Sequence, residues 1–255
     1  MDFWASLNMS NEDEKIPFWD HFVELRRRIF ISLIALGIGS VISFSLAETI
    51  IKYLARPIGG IEKLQAIEVT ETIGVFMRVS LLSGFILAFP VILYEILAFV
   101  LPGLTKGERR WIYAAIPSAT ILFLSGVAFT YFVMFPAAIP FLVGFLDINT
   151  IPRLSDYIKF VTNMLFWIGL SFQMPLIVFV LAKVKIVNAG MLARQWRIAI
   201  VIISIVAAVV SPTVDPINMG LLMLPLMALY ALSILLAALA NPKSKAEISS
   251  NKDSK

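Results

Sequence analysis

The chain contains no cysteine and a single histidine, His21. Neither a disulfide framework nor a zinc site of nitrogen and sulfur ligands can be assembled, and nothing is learned of redox compartment. His21 precedes the first apolar run, which excludes a serine protease working within the membrane, since that chemistry needs a histidine deep in a span. No G-x-x-x-x-G-K-[ST] loop is present, so nucleotide hydrolysis is removed as an energy source. Charge is scarce: 15% of the 255 residues are Asp, Glu, Lys or Arg, against about 25% in soluble domains. Apolar residues make up 59% of the chain and the mean hydropathy is +0.89, more apolar surface than a water-soluble core can absorb. The net charge of +4 lies in short clusters between apolar runs rather than on one stripe, so it reads as a topology signal and not as a nucleic-acid surface.

Long unalternating apolar runs mean helices, because only helices and closed barrels satisfy every backbone group in lipid. Six candidates stand out: Ile29 to Leu46, Ile73 to Leu101, Trp111 to Phe135, Ile158 to Ala182, Ile198 to Val210 and Met219 to Ala240. The fifth is short, reaching about 20 Å at the helical rise, and Pro225 interrupts the sixth, so both are expected to be shallow. With the N-terminus in the cytoplasm, inside segments hold Lys15, Arg26 to Arg28, Lys106, Arg109, Arg110, Lys183, Lys185, Arg194, Arg197 and the four lysines after Ala240. That is 15 of the 21 basic residues, which predicts that both termini are cytoplasmic. Ser45-Leu46-Ala47 resembles a signal-peptide cleavage site, but the preceding run is too long and five spans follow. The expected organisation is one polytopic membrane domain over residues 1–240, including an N-terminal cytoplasmic segment 1–28, and a disordered polar cytoplasmic tail over 241–255. Prolines at 90, 117, 136, 140, 175 and 225 predict a kinked, cupped bundle. The first outside loop, 47–72, is long enough for a short capping helix. The halves share no visible repeat, which disfavours a repeat-built carrier.

The most informative stretch is His21-Phe22-Val23-Glu24-Leu25-Arg26-Arg27-Arg28. It resembles the N-terminal signature H-[LIVF]-x-E-L-R-x-R of the TatC family, the polytopic component of the twin-arginine protein translocase. A second match runs from Pro90-Val91-Ile92-Leu93-Tyr94-Glu95 through Pro102-Gly103-Leu104 to Glu108-Arg109-Arg110. Ala128 to Pro136, Ser171-Phe172-Gln173-Met174-Pro175 and Ser211-Pro212-Thr213-Val214-Asp215-Pro216 extend the similarity, which covers about residues 17–240. Arg27-Arg28-Ile29-Phe30-Ile31 could itself pass for a twin-arginine signal, but five further spans argue against that.

The resemblance implies an all-α integral membrane protein of six helices, without catalytic residues or cofactor. It would sit in the plasma membrane of a prokaryote, receive precursors with an S/T-R-R-x-F-L-K signal and help carry them across folded, energised by the proton-motive force. Implied partners are TatA- and TatB-like single-span proteins, membrane lipid and further copies within a complex. It implies signal recognition by carboxylates matching Glu24 and Glu108, which suits the chemistry, since a carboxylate offers two acceptors to a planar guanidinium fork. The alternative for Glu24 is pairing with Arg28 at i+4 as an interfacial charge. Arg26 either steers Glu24 and contacts headgroups or anchors the span. Intramembrane or partner-facing candidates are Gln173, Asp215, Arg78 and Tyr131; Glu95 reads as structural, and Asp215 equally as a turn residue. Gln173 departs from the glutamate of many family members, and an interhelical amide hydrogen bond is its alternative role. A secondary transporter or channel, or a purely structural membrane scaffold, remains the alternative reading of the whole chain.

Overall fold

The computed structural model describes residues 18–100, 106–144, 151–210 and 216–240, and at 18–21, 100, 106–114 and 216–218 the backbone alone. Nine helices follow in these residues: α1 (Phe18–Leu54), α2 (Glu71–Val100), α3 (Lys106–Phe129), α4 (Phe135–Val143), α5 (Leu154–Ser171), α6 (Met174–Lys183), α7 (Ala189–Arg194), α8 (Trp196–Val210) and α9 (Pro216–Ala240). No strand joins them among the described residues; one isolated bridge pairs Gln65 with Arg153. Five helical stretches are long and apolar enough to cross a membrane. The sixth apolar helix, α8, has 15 residues, or about 22 Å, so the short fifth run is short in the fold as well.

Each boundary has a local cause. α1 outruns its apolar core at both ends, where Glu24 pairs with Arg28 and Glu48 with Lys52, each one turn apart. It continues to Leu54, so the first loop carries two 3₁₀ turns, Arg56–Ile58 and Ile61–Lys63, in place of a capping helix. Gly59 and Gly60, with φ of 99° and 116°, make the bend between them. The third crossing passes from α3 through a π-helical turn, Thr130–Met134, into α4. Pro136 cannot donate to the carbonyl four residues back, and the ladder there slips by one, with Phe135 N–H bonding Thr130 O. The fourth crossing is two helices: the ladder breaks at Phe172 and Gln173, and Pro175 opens α6. The sixth apolar run differs from the sequence reading. α9 is 25 residues long with Pro225 inside it, because one missing N–H leaves the rest of the ladder intact; the helix spans about 37 Å and is not short.

Small residues set the packing. Gly39, Ser43 and Ala47 recur every four residues on α1, and Ser80, Gly84 and Ala88 do so on α2; all are buried. Backbones meet at Gly39 and Gly84, where a methyl group on Gly39 would lie 2.5 Å from Gly84 O. A second close approach joins α3 to α5 at Gly126 and Gly169. Beside it, Phe89 stacks on Phe123 at 3.9 Å, and Phe85 meets Phe166 at 5.1 Å. α5 is the most enclosed helix, burying Ile158, Val161, Met164, Leu165 and Ile168, whereas α1 exposes Leu33, Ile34, Ile38 and Val41 along its outer face.

Candidate functional site

One turn of α1 separates Glu24 from Arg28, so both project from the same face at the helix's N-terminal end. Arg28 Nη2 and Nε donate to a single oxygen, Glu24 Oε1, at 2.7 and 3.2 Å. Its Nη1 donates to Oε2 of Glu95, near the end of α2, at 2.8 Å. Glu95 is the buried partner, its side chain 8% exposed, while that of Glu24 is 30% exposed. A carboxylate as enclosed as Glu95 is tolerated only when paired, so Arg28 is anchored from α2 and Glu24 leans on it from α1. Glu24 Oε2 takes no partner among the described residues. Arg26 is exposed two residues on, on a different face of α1. Five residues separate the end of α2 from the start of α3, which places Glu108, in the first turn of α3, at this same end of the bundle. Asp215 lies outside the described residues.

From this end a trough follows α1 and α2 toward α5. A 420 Å³ cavity bounded by Arg28, Ile29, Leu33 and Glu95 shares Leu36 and Phe85 with a 400 Å³ cavity lined by Leu81, Leu82 and Phe166. That one shares Arg78 with a polar vestibule of 440 Å³ at the far end. Arg78 donates through Nε to Thr162 Oγ1 at 2.8 Å and through Nη2 to Asn163 Oδ1 at 2.7 Å. Both partners are neutral. Arg78 thus bridges α2 to α5 from within the bundle rather than lying free at a helix end.

The far end carries a second ion cluster that the sequence does not advertise. Glu71, the first residue of α2, has a side chain 1% exposed. Its Oε2 accepts from Ile67 N–H at 2.9 Å, Glu68 N–H at 3.3 Å and Arg153 Nε at 3.0 Å. Its Oε1 accepts from Ser155 N–H at 2.7 Å, in the first turn of α5, so a carboxylate from one helix caps another. Arg153 also reaches Glu68 at 2.8 Å, and the hydrogen bonds of Glu68 and Glu71 hold its guanidinium above its ordinary pKa. Gln65 ties the loop down, its N–H on Pro152 O and its carbonyl receiving Leu154 N–H at 2.9 Å.

Two other candidates have defined partners. Tyr131 donates its hydroxyl to Tyr53 O at 3.0 Å, and Tyr157 does the same to Leu54 O at 2.7 Å. These are orphan carbonyls at the end of α1, so both tyrosines act as caps. Gln173 is buried and donates from Nε2 to Ala119 O of α3 at 2.9 Å, which is the interhelical amide bond of its alternative role. Sequence reasoning missed Tyr157, Glu71 and the acceptors Thr162 and Asn163. A polar residue at the edge of an apolar run is the one signal that marks Glu71. Among the described residues, no group of three His, Cys, Asp or Glu side chains is placed to hold a metal ion.

Residues 20–225 match the family model of the Sec-independent protein translocase protein TatC. The chain is 36% identical over 235 residues to the Sec-independent protein translocase protein TatC of Carboxydothermus hydrogenoformans, covering 91% of this chain and 97% of that one. It is 38% identical over 223 residues to the chloroplast protein TATC of Arabidopsis thaliana, covering 86% of this chain but only 65% of that longer relative. A crystal structure of the twin arginine translocase receptor TatC superposes with a TM-score of 0.78 at 34% identity, over 86% of this chain and 99% of that one. By family model, relatives and fold alike, the chain is a membrane protein belonging to the TatC family of Sec-independent protein translocase proteins.

Proposed function

We propose that this protein is the signal-receiving core of a twin-arginine translocase. It crosses the membrane six times, with α8 as the short fifth crossing and both termini in the cytoplasm, so that the Glu24 end faces the cytoplasm. The excess of Lys and Arg on that side supports the orientation. Residues 1–240 act as one membrane domain and 241–255 as a cytoplasmic tail. Its partners are twin-arginine precursors, TatA- and TatB-like single-span proteins, and other copies of itself, and it acts without catalytic residues in the plasma membrane of a prokaryote.

The observation that carries this reading is the half-occupied carboxylate of Glu24, with one oxygen held by Arg28, which lines the trough, and the other without a partner among the described residues. An arginine already sits on the receptor carboxylate, so recognition is an exchange. The precursor's guanidinium takes the free oxygen, displaces Arg28, and Arg28 keeps its anchor on Glu95. Because a charge-assisted contact is traded for another of the same kind, the gain per arginine is less than a new bond of about 1.5–3 kcal/mol would give, and readily reversible binding follows. Glu108 supplies a second carboxylate from α3, and Arg26, exposed on α1, contacts lipid headgroups or steers the incoming signal. Asp215 remains a weaker candidate for a turn or partner contact.

The test compares a twin-arginine precursor with its twin-lysine counterpart on wild type, Glu24→Ala and Glu108→Ala, by crosslinking or by affinity in detergent. Each substitution should weaken binding of the twin-arginine precursor about tenfold and cost the twin-lysine precursor much less. Equal losses for both would mean that these carboxylates only shape the surface and the arginines are read elsewhere.

A further inference from the structure

Arg78 is the eighth residue of α2, about 10 Å along the helix from its Glu71 end. A charge at that depth is expensive unless it is paired, and its two observed partners, Thr162 and Asn163, are both neutral. Among the described residues it makes no ion pair. Its Nη1, with two N–H groups, has no hydrogen-bond partner there either.

The vestibule around it contains as many acids as bases, but they differ in placement. Glu68, exposed, and Glu71, buried at the start of α2, are both committed to Arg153. Asp156 is exposed in the first turn of α5. Two of the cations lie further along the helices, Lys159 one turn beyond Asp156 on α5 and Arg78 two turns into α2. An anion that passes the Arg153 cluster therefore meets two cations that make no ion pair among the described residues. Below Arg78 the walls turn apolar, formed by Leu36, Leu81, Leu82, Phe85 and Phe166.

A polar chamber with an unpaired guanidinium at its floor, opening into an apolar trough, has the shape and charge of one ligand class. We infer that this is a binding site for an anionic phospholipid, with its phosphate on Arg78 and Lys159 and an acyl chain along the 400 Å³ trough toward Phe85. The phosphate supplies the negative charge that Thr162 and Asn163 lack, and the chain fills a groove that water would otherwise leave poorly solvated. This site stands on the Arg78 geometry alone and is independent of how the signal peptide is read.

Native mass spectrometry of the full-length protein, released from membranes into mild detergent and titrated with phosphatidylglycerol or phosphatidylethanolamine, tests it. Wild type should retain phosphatidylglycerol in clear preference. Arg78→Gln should lower that preference about fivefold or more, Arg78→Lys should keep part of it, and Lys159→Gln, at an exposed position with no folding cost, should lower it about twofold. Thermal melting should show stabilisation by long-chain phosphatidylglycerol but not by inorganic phosphate, since the chain contributes. Unchanged lipid preference in both Arg78→Gln and Lys159→Gln overturns the site. Equal stabilisation by inorganic phosphate overturns the lipid assignment. Loss of a co-purifying single-span protein from Arg78→Gln, with lipid preference intact, would assign the guanidinium to a partner's carboxylate instead.

Discussion

Each end of the bundle holds an arginine between two carboxylates, one buried and the other more open, yet the two clusters are built for opposite ends. At the far end the acceptor capacity of Glu71 is used up: four donors from two segments converge on its two oxygens, and one of them belongs to the first turn of α5. At the Glu24 end the pair of Glu24 with Arg28 lies within one helix, and one carboxylate oxygen remains free. The same three charges make a clamp where the acid is saturated and a receptor where it is not. Composition alone does not separate the two cases.

The comparison breaks most sharply at Glu71. Glu71→Ala leaves Arg153 with one acid, and strands the amides of Ile67 and Ser155. The melting temperature in detergent should fall by on the order of 10 °C, the largest shift expected of a single substitution in either cluster. Glu24→Ala should move it little. Equal shifts for the two variants would remove the distinction between clamp and receptor.

A finer test removes the resident competitor. Replacing Arg28 and Glu95 together by Gln avoids leaving a buried acid unpaired, and it frees both oxygens of Glu24. Affinity for a twin-arginine precursor should rise about threefold. A fall comparable to that of Glu24→Ala would show that Arg28 positions Glu24 rather than competing for it.

The smallest effect is expected at Gln173, which belongs to neither cluster. Gln173→Leu gives up one amide hydrogen bond to Ala119 O and should cost about 1 kcal/mol in stability. Gln173→Glu should melt lower at pH 8 than at pH 5, because only a protonated carboxyl can donate to that carbonyl. A variant with no pH difference would place the carboxylate away from α3.

What the sequence revealed of the fold and its clusters follows from the reach of its signals. Hydropathy is local, so the apolar runs and the shortness of α8 were legible, and the i+4 spacing of Glu24 and Arg28 gave their pairing. Pro225 misled, because a proline's cost to a helix depends on whether the remaining ladder is satisfied, which a single position does not reveal. The partner of Arg28 on α2 and the capping of α5 by Glu71 join residues 67 and 84 positions apart, and no local pattern encodes them. Tyr131 was marked by its motif but its hydroxyl's role as a cap depends on where α1 ends. The every-fourth-residue series Gly39, Ser43, Ala47 and Ser80, Gly84, Ala88, which the sequence reading did not pick out, fixes the α1–α2 contact.

That glycine contact also sets an order in time. α1 and α2 are neighbours in the chain, joined by a loop that ends at Thr70, so they can dock as soon as both have left the ribosome and entered the membrane. α5, which begins at Leu154, arrives later. Until it does, Arg78 lacks Thr162 and Asn163, and Glu71 has no helix to cap. The first two helices therefore form a stable half-wall that carries an exposed cation, and the arrival of α5 both closes the wall and relieves that charge. Synthesis halted between α2 and α5 should leave an intermediate that inserts correctly yet is unusually sensitive to the charge of the surrounding lipid.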